Sequence, residues 1–248
     1  MGVAGSGAAG PGSSEPGSSG PVPAVPETFA VRAVCVVDQL LPVPGRVGVT
    51  AIDKRPVAGP VQVREYGLHG DVQADRKHHG GLWKAVYLLS DSDVEQWEPE
   101  FGGPIPPGYF GENLRVSGID TSRLQIGTVL EVGPISGRAV LRMEITTPRI
   151  PCRTFAHRTG KPGWVRRFTE GGRPGAYARV LAPGPVEAGD EIRVVTVPTH
   201  GVTIGRVFAG VDDDEVRRLL AEFDRSDLAP SLIRKLDPAT DIRPTDAD

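Results

Sequence analysis

Downstream of residue 28 the chain alternates short apolar runs with Gly and Pro punctuation. The runs cover 31–37, 47–52, 61–66, 86–89, 128–132, 139–147, 176–181 and 191–197. They are of strand length and rich in Val, Ile and Thr, which suit a pleated, half-buried surface. Their number and spacing predict a mainly β fold, a closed or nearly closed barrel with a few short helices. One short helix is expected over 91–97, where Asp91 and Ser92 stand at cap positions, and another just after Cys152. Regular alternation of strand and helix, as in a dinucleotide-binding fold, is missing.

After Pro198 the period changes. Residues 203–209, 214–223 and 227–236 read as three short helices, and Val216, Leu219, Leu220 and Phe223 share one face. Asp212 or Asp213 can cap the middle helix. Helices this short are marginal alone, so they are expected to pack on the barrel or on each other. Residues 1–26 are Gly, Ser, Pro and Ala with almost no charge, and cannot offset their ordering entropy. The resulting division is a disordered tail over 1–27, a barrel domain over 28–197, a three-helix unit over 198–240 and a frayed tail over 241–248. The tail contains Gly5-Ser6-Gly7-Ala8-Ala9-Gly10, which matches the dinucleotide fingerprint but lacks the strand before it and the helix after it.

Composition narrows the function classes. A formal net charge of −3 over 248 residues lacks the overall positive field of a nucleic-acid binder. No apolar run approaches the roughly 20 residues of a membrane span, and the N-terminus has no hydrophobic signal core. With two cysteines, Cys35 and Cys152, there is no disulfide framework. The expectation is a cytoplasmic protein with reduced thiols and no nucleic-acid or membrane partner.

Three polar segments carry the candidate chemistry. The first runs from Gly67 to Gly81 and holds His69, Asp71, Lys77, His78, His79 and Gly80. Its glycines allow close backbone approach to a ligand, and Lys77 and the histidines can donate to anionic oxygens. The spacing of the three histidines fits no zinc motif. The second is Gly108-Tyr109-Phe110-Gly111-Glu112-Asn113-Leu114, a tight loop entering a strand. The third is Thr146-Thr147-Pro148-Arg149-Ile150-Pro151-Cys152-Arg153, where a strand ends at two prolines and presents a cysteine between arginines. Nearby positive charge favours a thiolate, while an inert core thiol is the bland alternative. Cys35, inside Val34-Cys35-Val36-Val37, reads as core packing. A Cys152–His157 hydrolytic pair has no support from spacing, and no nucleophile elbow, phosphate-binding loop or zincin helix is present.

These segments resemble the MOSC domain family, named for the C-terminal domain of molybdenum cofactor sulfurase, and most closely its bacterial YiiM-like branch with a C-terminal three-helix appendage. The resemblance rests on Asp53-Lys54-Arg55-Pro56-Val57, on Gly70-Asp71-x-Gln73-Ala74-Asp75 followed by His79-Gly80-Gly81, and on Phe110-Gly111-Glu112-Asn113-Leu114. Ile126-Gly127-Thr128, Pro148-Arg149-x-Pro151-Cys152 and Gly189-Asp190 complete it. Order and spacing match over about residues 30–196.

The resemblance implies a β-barrel and a pterin-based molybdenum cofactor, with Cys152 as molybdenum ligand or as a sulfur carrier. It implies reduction of N-hydroxylated compounds, such as purines, with electrons from a separate reductase. It also carries an association with pyridoxal phosphate and is compatible with a homodimer. On this reading Lys54, Lys77, Arg149 and Arg153 are candidates for the cofactor phosphate. Gly80, Gly81, Gly111 and Asn113 are candidates for the pterin. Asp71, His79 and Glu112 would orient the cofactor or move protons. The competing expectation is a carrier or sulfur-transfer module using Cys152.

Overall fold

The computed structural model describes residues 25–43, 48–73, 80–133 and 140–236. Of the tails expected over 1–27 and 241–248, residues 1–24 and 241–248 lie outside these residues, as do 237–240 of the expected three-helix unit. Val25 and Glu27 instead join the barrel, Val25 packing on the core and the Glu27 carbonyl accepting the Val194 N–H at 2.8 Å. In chain order the described strands are β1 Thr28–Pro42, β2 Val49–Pro56, β3 Val61–Arg64, β4 Gly67–Leu68, β5 Val86–Ser90, β6 Leu114–Ser117, β7 Val129–Gly133, β8 Leu141–Pro148, β9 Ala176–Ala182, β10 Gly184–Val186 and β11 Glu191–Thr196. The helices are α1 Asp91–Glu95, α2 Glu98–Phe101, α3 Arg153–Thr159, α4 Trp164–Gly171, α5 Ile204–Ala209, α6 Asp213–Glu222 and α7 Pro230–Leu236.

Seven strands close a ring in the order β1-β6-β5-β9-β8-β7-β11, and β11 returns to β1 through Thr28–Ala30 opposite Glu191–Arg193. Only the β5–β6 pairing is parallel within this ring. β1 is 15 residues long and outruns the barrel. Past its first half it bulges twice and pairs with β2, which stands at the edge of the sheet. A separate three-stranded sheet, β10-β3-β4, lies beside the ring. The expected barrel is therefore present and closed.

The strand pattern explains two cores. In β5 every residue is buried: Val86 and Leu88 face the barrel interior, and Tyr87 and Leu89 face outward into an aromatic layer. That layer is built by α1–α4 and the Phe110 loop, with Trp97, Phe110, Phe155, Trp164 and Phe168. α1 is held by a capping box between Ser90 and Asp93. The helix expected over 91–97 corresponds to α1, while α2 and α4 were missed; Pro99 near the start of α2 hides it as a helix. α4 shows only Trp164 and Phe168, one turn apart, as buried signals.

The C-terminal helices pack on the barrel, as expected. Ile204, Val207, Leu219, Leu232 and Leu236 belong to the same core as the barrel strands. Asp212 caps α6 and forms a capping box with Glu215. The connection is fixed by His200. Its Nε2 lies 2.9 Å from the Ile126 carbonyl and its Nδ1 accepts the Val202 N–H at 2.9 Å. This is the neutral tautomer with both ring nitrogens used. Burial lowers the His200 pKa below its ordinary value of 6.5, against the opposing pull of the Ile126 carbonyl and Glu222, while Arg218 adds to the lowering. The unfolded chain therefore binds more protons than the folded one in the window just below 6.5. Stability is full above that value and declines as pH falls through the window. H200Q is expected to flatten this part of the stability–pH curve, measured by urea unfolding at a series of pH values.

Gly127 shows why the turn leading into β7 needs glycine. Its φ is 81°, and an added Cβ would stand 2.3 Å from Cζ of Phe223 on the C-terminal unit. G127A is expected to cost about 2 kcal/mol or more, from left-handed strain and overpacking together. Chemical denaturation reads this directly.

Candidate functional site

Two groups of side chains meet outside the barrel wall. The first is a polar network under the loop that follows β4. Asp71 accepts the Val37 N–H at 2.9 Å and the Asn113 Nδ2 at 2.7 Å, and pairs with Lys54. Asn113 also donates toward the Cys35 carbonyl at 3.4 Å and accepts the Tyr87 N–H at 3.1 Å. The network thus ties β1, β2 and β5 to the loop. Lys54 and Asn113 are buried, so the pair is shielded from water and depends on its hydrogen bonds. Cys35 beside it is inert: burial, and then Glu112, push its thiol up to about 12.

The second group surrounds Cys152. β8 ends at Pro148, opposite Ala176 of β9, and the connector turns Cys152 into the residue preceding α3. Its carbonyl accepts the Ala156 N–H at 3.0 Å. Cys152 is half-buried, outside any disulfide, and packs against the aromatic layer. In the same layer the Arg149 guanidinium lies 3.6 Å from the Phe155 ring centre, 5.4 Å from that of Tyr87 and 5.9 Å from that of Phe168. Arg149 is only 5% exposed, and its Nη1 is buried without a hydrogen-bond partner. Burial pushes the Tyr177 hydroxyl up, and the charge of Arg149 opposes that while Cys152 adds to it. α3 is anchored to β2 by Arg158, which donates to Asp53 at 2.5 Å and stacks on Tyr109.

Tyr87 and Tyr177 face each other across β5 and β9, with ring centres 5.1 Å apart. Tyr87 touches both groups, its N–H donating to Asn113 and its ring facing Arg149. The remaining candidates are placed differently. Glu112 is fully buried, holding the Gly108 N–H at 2.8 Å and Arg115, with Oε2 lacking a partner. Its role in the structure is to fix the Phe110 loop. The Gly111 N–H is spent on the Gly108 carbonyl, and a Cβ there would meet Ile52 at 2.9 Å. That glycine therefore serves close packing on β2. The Gly81 N–H is likewise spent on Gln73, whose side chain also crowds Gly80. Arg153 is exposed on the first turn of α3, and His157 is exposed further along it. Lys77 and His79 lie outside the described residues.

The tyrosine and phenylalanine cage escaped the sequence reading. Tyrosines inside short strands and a phenylalanine at helical spacing look like ordinary core. The usable signal was the unbroken apolar run Val86–Leu89 in β5, which requires cover on both faces.

Among the described residues no three His, Cys, Asp or Glu side chains converge on a point that could hold a metal ion. A bare ion therefore has no cage there. The half-buried Cys152 thiol instead fits a metal that arrives with its own ligands and takes one thiolate from the protein. A MOSC domain model matches residues 75–193, and the protein YflK of Bacillus subtilis (strain 168), named as uncharacterized, is 32% identical over 62% of this chain and 67% of its own length. The chain belongs to the MOSC domain family. Protein YiiM of Escherichia coli (strain K12) is 29% identical over 69% of the chain and 77% of its own length. A protein of Gibberella moniliformis named "Reductase" is 30% identical, over 60% of the chain but only 26% of its own length. The crystal structure of YiiM from Geobacillus stearothermophilus shares the MOSC fold with a TM-score of 0.66 at 22% identity, covering 85% of this chain and 98% of that one. Among the described residues no helix is long and apolar enough to cross a membrane.

Proposed function

We propose that this MOSC protein binds a pterin-based molybdenum cofactor through Cys152 and reduces N-hydroxylated small molecules, N-hydroxylated purines among them, with electrons from a separate reductase in the cytoplasm. The observation that carries the reading is the half-exposed Cys152 thiol just before α3, packed on the same aromatic layer that buries Arg149, whose Nη1 has no hydrogen-bond partner. A thiolate is a sound ligand for a soft metal centre. The reductase name of the Gibberella moniliformis relative supports the same class of chemistry.

When bound, the cofactor supplies the two-electron chemistry that cleavage of an N–O bond requires. The chain's own residues position and surround it. Cys152 fixes the metal, and the cage beneath holds the connector that carries Cys152. Arg153 and Lys77 are placed on the cofactor phosphate in this reading, since guanidinium and ammonium groups suit it. Asp71 is locked by Lys54, Asn113 and the Val37 N–H. Proton supply is assigned to His79.

The test is metal and pterin analysis of protein purified from a host that makes the cofactor, followed by assay with a chemical reductant and N-hydroxylated purines. Near-equal molybdenum and pterin with turnover supports the reading. Full loading without turnover on several N-hydroxylated substrates moves the assignment to a cofactor carrier or sulfur-transfer module. Absence of both molybdenum and pterin refutes the cofactor assignment.

A further inference from the structure

Arg149 is a cation sealed inside an aromatic layer. Its charge faces Phe155, Tyr87 and Phe168, Nη1 has no partner, and among the described residues no carboxylate forms an ion pair with it. Cation–π contacts at a desolvated site return about 2 kcal/mol, against the several kcal/mol that removing an ion from water costs. The charge is thus only partly compensated, and its field reaches the neighbouring groups. Burial raises the hydroxyl pKa of both Tyr87 and Tyr177, and Arg149 is the largest influence opposing it in each case. Cys152 acts on the same Tyr177 hydroxyl and packs on the same layer. Arg149 and Cys152 therefore share one shielded, low-dielectric region.

We propose that Arg149 is a fixed counter-charge that raises the reduction potential of the redox centre bound through Cys152. This rests on the reading of the site as a molybdenum site. Each electron accepted there adds one negative charge, and a buried positive charge nearby stabilises the reduced form. The rings around the guanidinium keep salt from screening its charge. This role differs from the phosphate contact expected from sequence, because the guanidinium points into the protein.

The experiment is a dithionite titration through redox mediators of cofactor-loaded wild type, R149K, R149M and R149Q. The midpoint potential is read from the molybdenum electron paramagnetic resonance signal, and metal content is measured in parallel. R149M and R149Q are expected to lower the potential with molybdenum content retained, and R149K to stay near wild type. An unchanged potential in R149M and R149Q overturns the proposal. So does loss of molybdenum from all three variants, which would make Arg149 an anchor for the cofactor. If R149Q does not fold by circular dichroism, R149M carries the test, since it keeps an apolar stack on Phe155. Failure of both to fold makes Arg149 purely structural and overturns the proposal. A wild-type protein that takes up no molybdenum is a separate result: it refutes the site reading and removes this inference with it.

Discussion

Cys152→Ala is expected to remove molybdenum from the purified protein and abolish reduction of an N-hydroxylated purine, while the fold stays intact. The side chain is half-buried at the rim of the aromatic layer, so its loss leaves little cavity. The stability change should stay within about 1 kcal/mol. Cys35→Ala is the control. That thiol is fully buried in β1, so its removal costs about 1–2 kcal/mol of packing and leaves metal content and turnover as they were. Alkylation separates the two residues before any cofactor is involved. Iodoacetamide at pH 8 should modify native protein once, at Cys152, because the Cys35 thiol is inaccessible and its pKa lies near 12. The assay needs loaded protein and an artificial donor, so that a missing reductase cannot mimic inactivity. Full turnover by Cys152→Ala would sink the ligand assignment.

Truncation after Val197 is expected to be more damaging than any single substitution. Ile204, Leu219 and Leu232 are fully buried against the barrel, and Val207 nearly so. Each such side chain contributes about 1.5–3 kcal/mol, so their sum rivals the whole net stability of about 5–15 kcal/mol typical of a domain. Removal also strips the Ile126 N–H of the Val202 carbonyl and the Leu124 carbonyl of the Ile204 N–H. The shortened chain should aggregate, or melt far below the full chain, as seen by light scattering and thermal denaturation. A monodisperse product with native stability that loses only reductase-coupled turnover would instead assign the helices to donor docking.

The strands were legible because a barrel wall alternates between two environments, and Val, Leu and Ile mark that alternation in β7 and β11. β10 was not. It is three residues long with Pro185 at its centre, and it exists because β3 offers an edge to pair with. The C-terminal helices were legible from period and caps, Asp212 above all. Of the residues singled out in the sequence, Asp71, Lys54 and Asn113 do meet in one buried polar network. The environment of Arg149 was not legible. Sequence shows an arginine beside a cysteine and suggests a surface ligand. Its burial arises from Phe155 and Phe168 on α3 and α4 closing over Tyr87 and Tyr177, contacts separated by up to 90 residues. Likewise the glycine at 111 suggested ligand approach, and Ile52 on a distant strand supplies the actual reason.

Closure of the ring through β1 and β11 has a consequence for synthesis. Thr28–Ala30 must wait for Glu191–Arg193 before their hydrogen bonds can form. During translation, at about 5–20 residues per second, the amino-terminal strand therefore emerges many seconds before its last partner. Until then that stretch of β1 presents an unpaired edge, a template for pairing with another chain. Crowded expression should send a share of the nascent protein into inclusion bodies. Slower synthesis at low temperature, or extra chaperone, should recover it without altering the stability of the finished barrel.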